Sequence, residues 1–426
     1  MREAVFHGAA ASVVSKYERQ GDWEMIKVAI LGFGTVGSGV VEVMTKNADK
    51  IARNAANEIQ LKYILDVRDF PGNPYAPLLV KDFSVIENDP EVQVVVETIG
   101  GTGVAYDFTK RCLLAGKNVV TSNKELVASH GCELLSIARR QNLNYLFEAS
   151  VGGGIPIIRP ISQCLAANEI YEVYGILNGT TNYILTQMIK IGLPFETALR
   201  QAQEMGYAEQ DPTADIEGHD ACRKICILAS LSFGRHIYPD QVPTQGIRDL
   251  DLIDVEYAKS MGCKIKLLGR AVHLPDGKAA CYVAPHLVEA GSLLWNVEDV
   301  FNGIMVRGNA IGDVMFYGAG AGKLPTASAV VADVIDCAKH LSARKYLDWE
   351  EGGAQSSADP AQLVSRWYAR VPKSVDAAAL FGDVKCLSTE NARPDETAFI
   401  TTQGVSGTEI SEKLKAANAK AAFRIL

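Results

Sequence analysis

Glu209, Asp211, Asp215, Glu217 and Asp220 crowd into the segment GYAEQDPTADIEGHDACRK (residues 206–224), which ends on a lysine. Asp220 and Lys224 stand four apart, one turn along the same face of a helix with the acid N-terminal, the order that favours pairing. At about 100° per residue Ile227 and Leu231 share that face, while Ala221, Ile225, Leu228 and Ala229 cover most of the remainder. The helix is therefore apolar nearly all round, and its charged pair is predicted to be buried. Taking two ions out of water costs several kcal/mol, and apolar replacements are often as stable, so a buried pair needs a reason. A lysine that handles protons supplies one. Hydride arriving at an aldehyde develops an alkoxide that a neighbouring ammonium stabilises and protonates; in reverse, the amine takes the hydroxyl proton as hydride leaves. A purely structural salt bridge is the competing reading of the same spacing.

A hydride needs a carrier, and residues 26–39, IKVAILGFGTVGSG, read as a strand running into Gly32-Phe33-Gly34-Thr35-Val36-Gly37 and then a helix. In that context the glycines allow a tight turn, close approach of a pyrophosphate and close helix-to-strand packing, while the helix N-terminus offers free N–H groups to anionic oxygens. An ordinary glycine-rich turn is the alternative, and the βα units that follow favour dinucleotide binding. The end of the second strand, Leu65-Asp66-Val67-Arg68-Asp69, supplies both an acid that suits a ribose 2′-hydroxyl and an arginine that suits a 2′-phosphate. NAD and NADP both remain open, with Arg68 tilting the reading towards NADP. Ligands of open parallel sheets gather beyond the carboxyl ends of the strands. Glu97-Thr98 with Gly100-Gly101, Thr121-Ser122-Asn123-Lys124, and Glu148 are thus expected to converge on one crevice, with the Lys124 ammonium near the nicotinamide end.

The elements that must hold these groups alternate. Candidate strands at Ile26–Leu31, Leu61–Val67, Val92–Val96, Asn118–Thr121 and Asn144–Phe147 are separated by helical patterns such as Val36–Ala52, Tyr106–Leu114 and Glu125–Arg140. That succession predicts an α/β fold, a Rossmann-type doubly wound parallel sheet over residues 26–150, completed by a return at about 316–345. Beyond the glycine cluster Val151–Gly154 the alternation stops, and 151–315 read as an α+β substrate domain. Residues 351–360 (EGGAQSSADP) read as a linker, 361–426 as a small α+β tail module, and 1–25 as a mobile extension or start-site artefact.

The whole chain has 426 residues, 48% hydrophobic and 22% charged, which excludes a single small module, wholesale disorder and coiled coil. A net charge of −8 argues against nucleic acid and anionic membrane surfaces as partners. The nine cysteines are scattered without a CxxC pair, so neither a disulfide framework nor a zinc site is signalled and a reducing compartment fits. No apolar run reaches the roughly 18 residues of a membrane helix, and no secretory leader is legible, so cytoplasmic residence is expected.

Taken together, GFGTVGSG (32–39), TSNKELVA (121–128), EASVGGGIPII (148–158), GILNGTTNYIL (175–185), the Gly206–Lys224 segment and GAGAGKLPTASAVVADVID (318–336) resemble homoserine dehydrogenases over about residues 26–345. The resemblance implies reversible NAD(P)-dependent interconversion of homoserine and aspartate 4-semialdehyde, on the route to threonine and methionine. It implies that Lys224 is the acid–base residue, placed by Asp215 and Asp220, that Glu209 holds the substrate ammonium, and that backbone groups of Gly179 and Thr180 meet the amino acid. Lys124 would lie between cofactor and substrate, Gly322 would bind the cofactor, and Pro325–Ser328 (PTAS) would mark the point near the nicotinamide where the chain returns to the cofactor domain. It further implies a sodium or potassium ion cradled by Glu148 and the carbonyls of Val151, Gly153 and Ile155; a glycine-rich hinge is the competing reading. The tail resembles a divergent ACT domain, with Pro372-Lys373-Ser374-Val375 where the usual Pro-Gly turn would open the first helix; oligomer contact, as a homodimer or homotetramer, competes with effector binding. Two other functions stand beside this one: a semialdehyde dehydrogenase working through a thioester, for which Cys112 and Cys132 lie unpromisingly inside helical runs, and a cofactor-binding regulatory protein without catalysis.

Overall fold

The structure is a computed structural model that describes residues 24–343 and 347–426. Residues 1–23 of the expected extension lie outside the described residues.

The strands β1 (Met25–Leu31), β2 (Glu58–Leu65), β3 (Leu79–Val80), β4 (Val92–Glu97), β5 (Asn118–Thr121) and β6 (Tyr145–Leu146) form one sheet in the order β3-β2-β1-β4-β5-β6. Every pairing in it is parallel. This is the doubly wound order, whose direction of winding reverses between β1 and β4 and opens a crevice there. Helices cover both faces, so the central strands are continuous apolar runs: Val28 to Leu31 and Val94 to Val96 are fully buried.

Several boundaries differ from expectation, and two of the differences change an element's end or continuity. The second strand ends at Leu65 instead of Val67, because the Asp66 side chain accepts the backbone N–H of Arg68 at 2.9 Å and turns the chain, leaving Val67 exposed. The long helix expected over Val36–Ala52 is two, Thr35–Lys46 and Ala48–Ala55, broken at Asn47 (φ −113°, ψ 20°).

The remaining strands are β7 (Ile170–Ile176), β8 (Cys263–His273), β9 (Ala279–Glu289), β10 (Phe301–Gly308), β11 (Gly312–Ala319), β12 (Ser357–Ala358), β13 (Val364–Pro372), β14 (Val384–Cys386), β15 (Glu396–Thr401), β16 (Val405–Ser406) and β17 (Ala421–Ile425). They form a mixed sheet in the order β11-β10-β7-β8-β9-β17-β13-β15-β14, with β12 on β9 and β16 on β13. The helix His219–Phe233 packs across β7, β8 and β9. Gly269 in β8 permits that approach, since a Cβ there would come within 3.1 Å of the Ile225 Cβ. After β11 the chain returns to the first sheet as the helix Lys323–Lys339, so residues 316–319 belong to the mixed sheet. This helix packs on Thr35–Lys46, β4 and β5.

The tail runs β-α-β-β-α-β, with helices Ala377–Phe381 and Gly407–Ala416, and its strands lie antiparallel in the order β17-β13-β15-β14. Strand β17 also pairs in parallel with β9, joining Arg424 to His286 and Ile425 to Leu287. Residues 351–360, expected as a linker, carry β12, which pairs Ser357 and Ala358 with Ala279 and Ala280. A second tie is polar. Asp254, on the helix Leu252–Ser260, is buried and accepts from the Tyr368 hydroxyl at 2.6 Å and from Arg370 Nε and Nη2 at 2.8 and 3.0 Å.

Candidate active site

The pairing read from the helix spacing is present. Lys224 Nζ donates to Asp220 Oδ2 at 2.7 Å and to the Leu177 carbonyl at 2.8 Å, and both side chains are buried. Lys124, at the start of the helix Lys124–Arg140, reaches the other oxygen of the same carboxylate at 2.7 Å. Asn178 donates from Nδ2 to Asp215 Oδ1 at 2.7 Å and to Asp220 Oδ2 at 2.8 Å. Its own Oδ1 caps the helix Gly179–Ile191 by accepting the Thr181 N–H at 2.8 Å. Two lysines, two aspartates and one amide therefore share a single hydrogen-bonded cluster.

The electrostatics follow from that packing. Burial lowers the Lys224 pKa, with Asp220 opposing the fall. Burial alone would raise the Asp220 carboxyl, yet Lys224, Lys124 and the Asn178 amide outweigh it and hold it well below the usual carboxylate range. Asp215 is raised by burial and by the neighbouring Asp220 charge. The Asp220 charge also raises Lys124.

This cluster forms the floor of a cleft of about 580 Å³ whose walls include Gly179, Thr180, Glu209 and Gly322. Glu209 is exposed, and its carboxylate has no partner among the described residues. The Thr180 hydroxyl donates to the Tyr207 carbonyl at 2.6 Å, leaving Gly179 and Thr180 to face the cleft mainly with backbone.

The glycine turn lies at the carboxyl end of β1. Gly32 has φ +94°, and a Cβ on Gly37 would stand 2.0 Å from the Gly32 carbonyl oxygen, so neither position accommodates a side chain. Gly34 precedes Thr35 and Val36 in a helix that opens without a side-chain cap. The Phe33 N–H, by contrast, is already taken by Asp66 Oδ2 at 2.7 Å. Arg68 closes on Asp66 through Nε at 3.0 Å and Nη2 at 2.9 Å, which together with the two backbone bonds keeps that carboxyl well below its ordinary pKa. The Arg68 side chain remains 59% exposed beside Gly34.

At the neighbouring strand ends the Thr98 hydroxyl donates to the Gly32 carbonyl at 2.8 Å, tying β4 to the turn. Thr121 is fully buried and spends its hydroxyl on Glu97 Oε2 at 2.6 Å, while Glu97 Oε1 accepts the Gly100 N–H at 3.3 Å. Ser122 donates its N–H to the Glu97 carbonyl at 3.4 Å. Thr98, Thr121 and Ser122 thus brace the crevice with these groups.

Family models match at two places: "Homoserine dehydrogenase, NAD binding domain" over residues 32–148 and "Homoserine dehydrogenase" over 156–335. A homoserine dehydrogenase of Neisseria gonorrhoeae is 39% identical over 376 residues, 86% of each chain. One from Pseudomonas aeruginosa is 44% identical over 319 residues, 74% of this chain and 73% of that one. The crystal structure of a homoserine dehydrogenase from Thiobacillus denitrificans superposes with a TM-score of 0.85 at 32% identity, covering 95% of this chain and 99% of that one. The chain belongs to the homoserine dehydrogenase family. It is an NAD(P)-dependent oxidoreductase with a nicotinamide-cofactor domain. A hyperthermophilic archaeal homoserine dehydrogenase solved in complex with NADPH matches 73% of the chain at 27% identity and a TM-score of 0.62.

Within this homoserine dehydrogenase, Asn178 is the member of the cluster that the sequence reading passed over. Its only local signal is helix capping, an Asn before Gly179-Thr180-Thr181; its bonds to Asp215 and Asp220 are tertiary. Glu148, assigned to a cation by resemblance, is buried and accepts the backbone N–H groups of Ile157, Ile158 and Arg159 at 2.6, 2.9 and 2.8 Å. Its carboxylate therefore closes a turn. The carbonyls of Val151, Gly153 and Ile155, in the adjoining loop, accept no backbone hydrogen bond among the described residues. No helix among the described residues is long and apolar enough to cross a membrane.

Proposed function

We propose that Lys224 is the proton-transfer group of the homoserine dehydrogenase reaction, the NAD(P)-dependent interconversion of L-homoserine and L-aspartate 4-semialdehyde. The observation that carries this is a buried ammonium at the cleft with one donor uncommitted. Of its three hydrogens, one is held by the Leu177 carbonyl and one by Asp220. The third has no partner among the described residues and serves the substrate oxygen, where it stabilises and then protonates the alkoxide as the aldehyde is reduced. In the oxidative direction the neutral amine takes the hydroxyl proton, and burial, by lowering its pKa, makes that form accessible. Nicotinamide, when bound, supplies or accepts the hydride.

Asp220 holds the lysine directly and Asp215 braces Asp220 through the Asn178 amide they share, while Lys124 sits at the edge of the cluster on the side of β5. The unpartnered Glu209 carboxylate suits the substrate ammonium, and the backbone of Gly179 and Thr180 suits its carboxylate. On the cofactor side the Asp66 carboxylate is saturated by Phe33 and Arg68, while the guanidinium is half exposed beside the turn. That arrangement favours a 2′-phosphate, hence NADP, with NAD as the weaker cofactor. Three free carbonyls in a glycine-rich loop fit a sodium or potassium ion, which would fix the junction between the two domains; the Glu148 carboxylate is better suited to bracing that loop.

The tail's strand order supports an ACT-like module that binds an effector or a second subunit, giving a homodimer or homotetramer in the cytoplasm. A thioester mechanism finds no support: among the described residues no cysteine lines the cleft, and burial pushes the Cys112 and Cys132 thiols up to about 12.

Lys224→Ala tests the assignment. Turnover with homoserine and NADP should fall about 100-fold or more, the range of a lost acid–base group, with cofactor affinity nearly unchanged. Turnover near wild type would remove Lys224 from the chemistry, and a well-folded wild-type protein inert with both cofactors would favour a regulatory role.

A further inference from the structure

Asn302, in β10, is fully buried, and neither Oδ1 nor Nδ2 has a hydrogen-bond partner among the described residues. A buried amide in that condition carries the full desolvation of a donor and an acceptor with nothing in return. Its surroundings lie at the cleft. Asn302 pairs across the ladder with Gly318, and a Cβ on Gly320 would stand 2.1 Å from Asn302 Nδ2 and 2.5 Å from Oδ1. The amide therefore lies directly behind the segment Ala319–Gly322, which lines the same cleft as the lysine cluster.

That wall is held differently on its two sides. Towards the substrate domain it is clamped, since the Gly154 N–H donates to the Ala319 carbonyl at 3.1 Å and Gly153 approaches so closely that a Cβ would sit 2.6 Å from Gly320 O. Towards the cofactor domain it passes through Gly322 (φ +126°) into a helix with no side-chain cap. Asn302 itself stands on a fixed base. The Asn182 amide donates to the carbonyls of Val297, Asp299 and Phe301 at 3.2, 3.0 and 3.1 Å, pinning the arch that leads into β10.

We propose that Asn302 is a positioning residue for the dehydrogenase reaction: its amide takes hydrogen bonds from and to the Ala319–Gly322 wall when cofactor and amino acid fill the cleft, and so sets that wall against them. The inference rests on the reading of this cleft as the place where the two ligands meet. When the wall seats, the amide gains partners it does not have among the described residues, so part of the ligands' binding energy comes from Asn302.

The test compares wild type with Asn302→Leu, of similar size without polar atoms, and with the smaller Asn302→Ala. Melting temperature is measured on free protein and on protein titrated with NADPH and homoserine, both in the reduced state so that no turnover occurs. Asn302→Leu should melt at or above the wild-type temperature when free. Its dissociation constant for NADPH in the presence of homoserine should rise about tenfold, as for the loss of one or two buried hydrogen bonds. The KM for homoserine should rise with it, while kcat falls less. Asn302→Ala, should the leucine variant not fold, carries the same comparison of dissociation constants. A variant that melts lower when free yet binds NADPH as tightly as wild type overturns the proposal, because the amide is then bonded in the free protein and merely structural. Absence of any ligand-induced stabilisation in wild type would instead refute the cleft reading, and the proposal with it.

Discussion

Replacing Asp220 by asparagine removes one charge from the point where three donors meet. Lys224 and Lys124 each lie 2.7 Å from its oxygens, and the Asn178 amide lies at 2.8 Å. The two lysines respond differently. The Lys124 side chain is 41% exposed and can turn to water, so its pair is worth about 1 kcal/mol or less. The Lys224 side chain is 9% exposed and has no such exit. Breaking a buried pair costs roughly 3–5 kcal/mol, and because asparagine keeps the shape and one acceptor, the lower end applies, about 3 kcal/mol of unfolding free energy.

The pH dependence has a definite sign. Burial lowers the Lys224 pKa and Asp220 resists it, so Asp220→Asn moves that pKa further down. Homoserine oxidation needs the neutral amine, and its rate rises with pH through this ionisation; the rising limb therefore moves to lower pH. Semialdehyde reduction needs the ammonium, and its falling limb moves the same way. If half of the lost pairing energy appears as ionisation, the displacement is about one pH unit, at roughly 1.4 kcal/mol per unit. Stability follows a separate rule. The folded Asp220 pKa lies below the ordinary value, so wild type's advantage is complete above about pH 4 and disappears as pH falls through the folded pKa. Urea unfolding across pH, together with NADP reduction by saturating homoserine between about pH 6 and 10, measures both effects. Superimposable rate profiles, with unfolding free energies within about 0.5 kcal/mol at neutral pH, would refute the claim that this carboxylate holds a reactive ammonium.

Arg68→Ala should raise KM for NADP about tenfold or more, the worth of a charge-assisted hydrogen bond, while leaving KM for NAD unchanged or lower. Equal losses with both cofactors, read from initial rates, would remove Arg68 from 2′-phosphate recognition. Asp254→Asn should destabilise the protein by about 2 kcal/mol, because buried Arg370 loses the carboxylate that holds Nε and Nη2 and keeps only Glu396, 2.5 Å from Nη1, as a close charged partner. Chemical denaturation checks this, and limited proteolysis should cut the tail first, because Asp254 ties Tyr368 and Arg370 of β13 to the helix Leu252–Ser260.

Where chemistry and local periodicity coincide, the sequence is readable. The i, i+4 spacing of Asp220 and Lys224 in an apolar helix foretells a buried pair because both residues belong to one element. The glycine turn is legible for the same reason: Gly32 and Gly37 touch each other within one βα unit. What escaped depends on partners far along the chain. Asn178 reads as a helix cap, and only the fold brings Asp215 and Asp220 to its other end. In the sequence Asp66 and Arg68 read as rivals for the ribose; the structure makes them partners, since an Asx turn folds the arginine back over the acid. Residues 351–360 look like a linker by composition, yet Gly352 packs so tightly that a Cβ would meet the His236 carbonyl oxygen at 1.7 Å, and β12 follows directly. Small and polar residues signal looseness in a sequence. Here they mark where backbone must touch backbone.

One edge of β9 is completed by three separate stretches of chain: β12 at Ala279–Ala280, a bridge from Thr244 at Val283, and β17 at His286–Leu287. During synthesis β8 and β9 can zip together as a hairpin long before Arg424 has left the ribosome. Until it does, the outer rim of β9 offers its amides to any extended peptide nearby. Strand β17, the farthest along the sequence of the three, is thus the stretch that closes this rim.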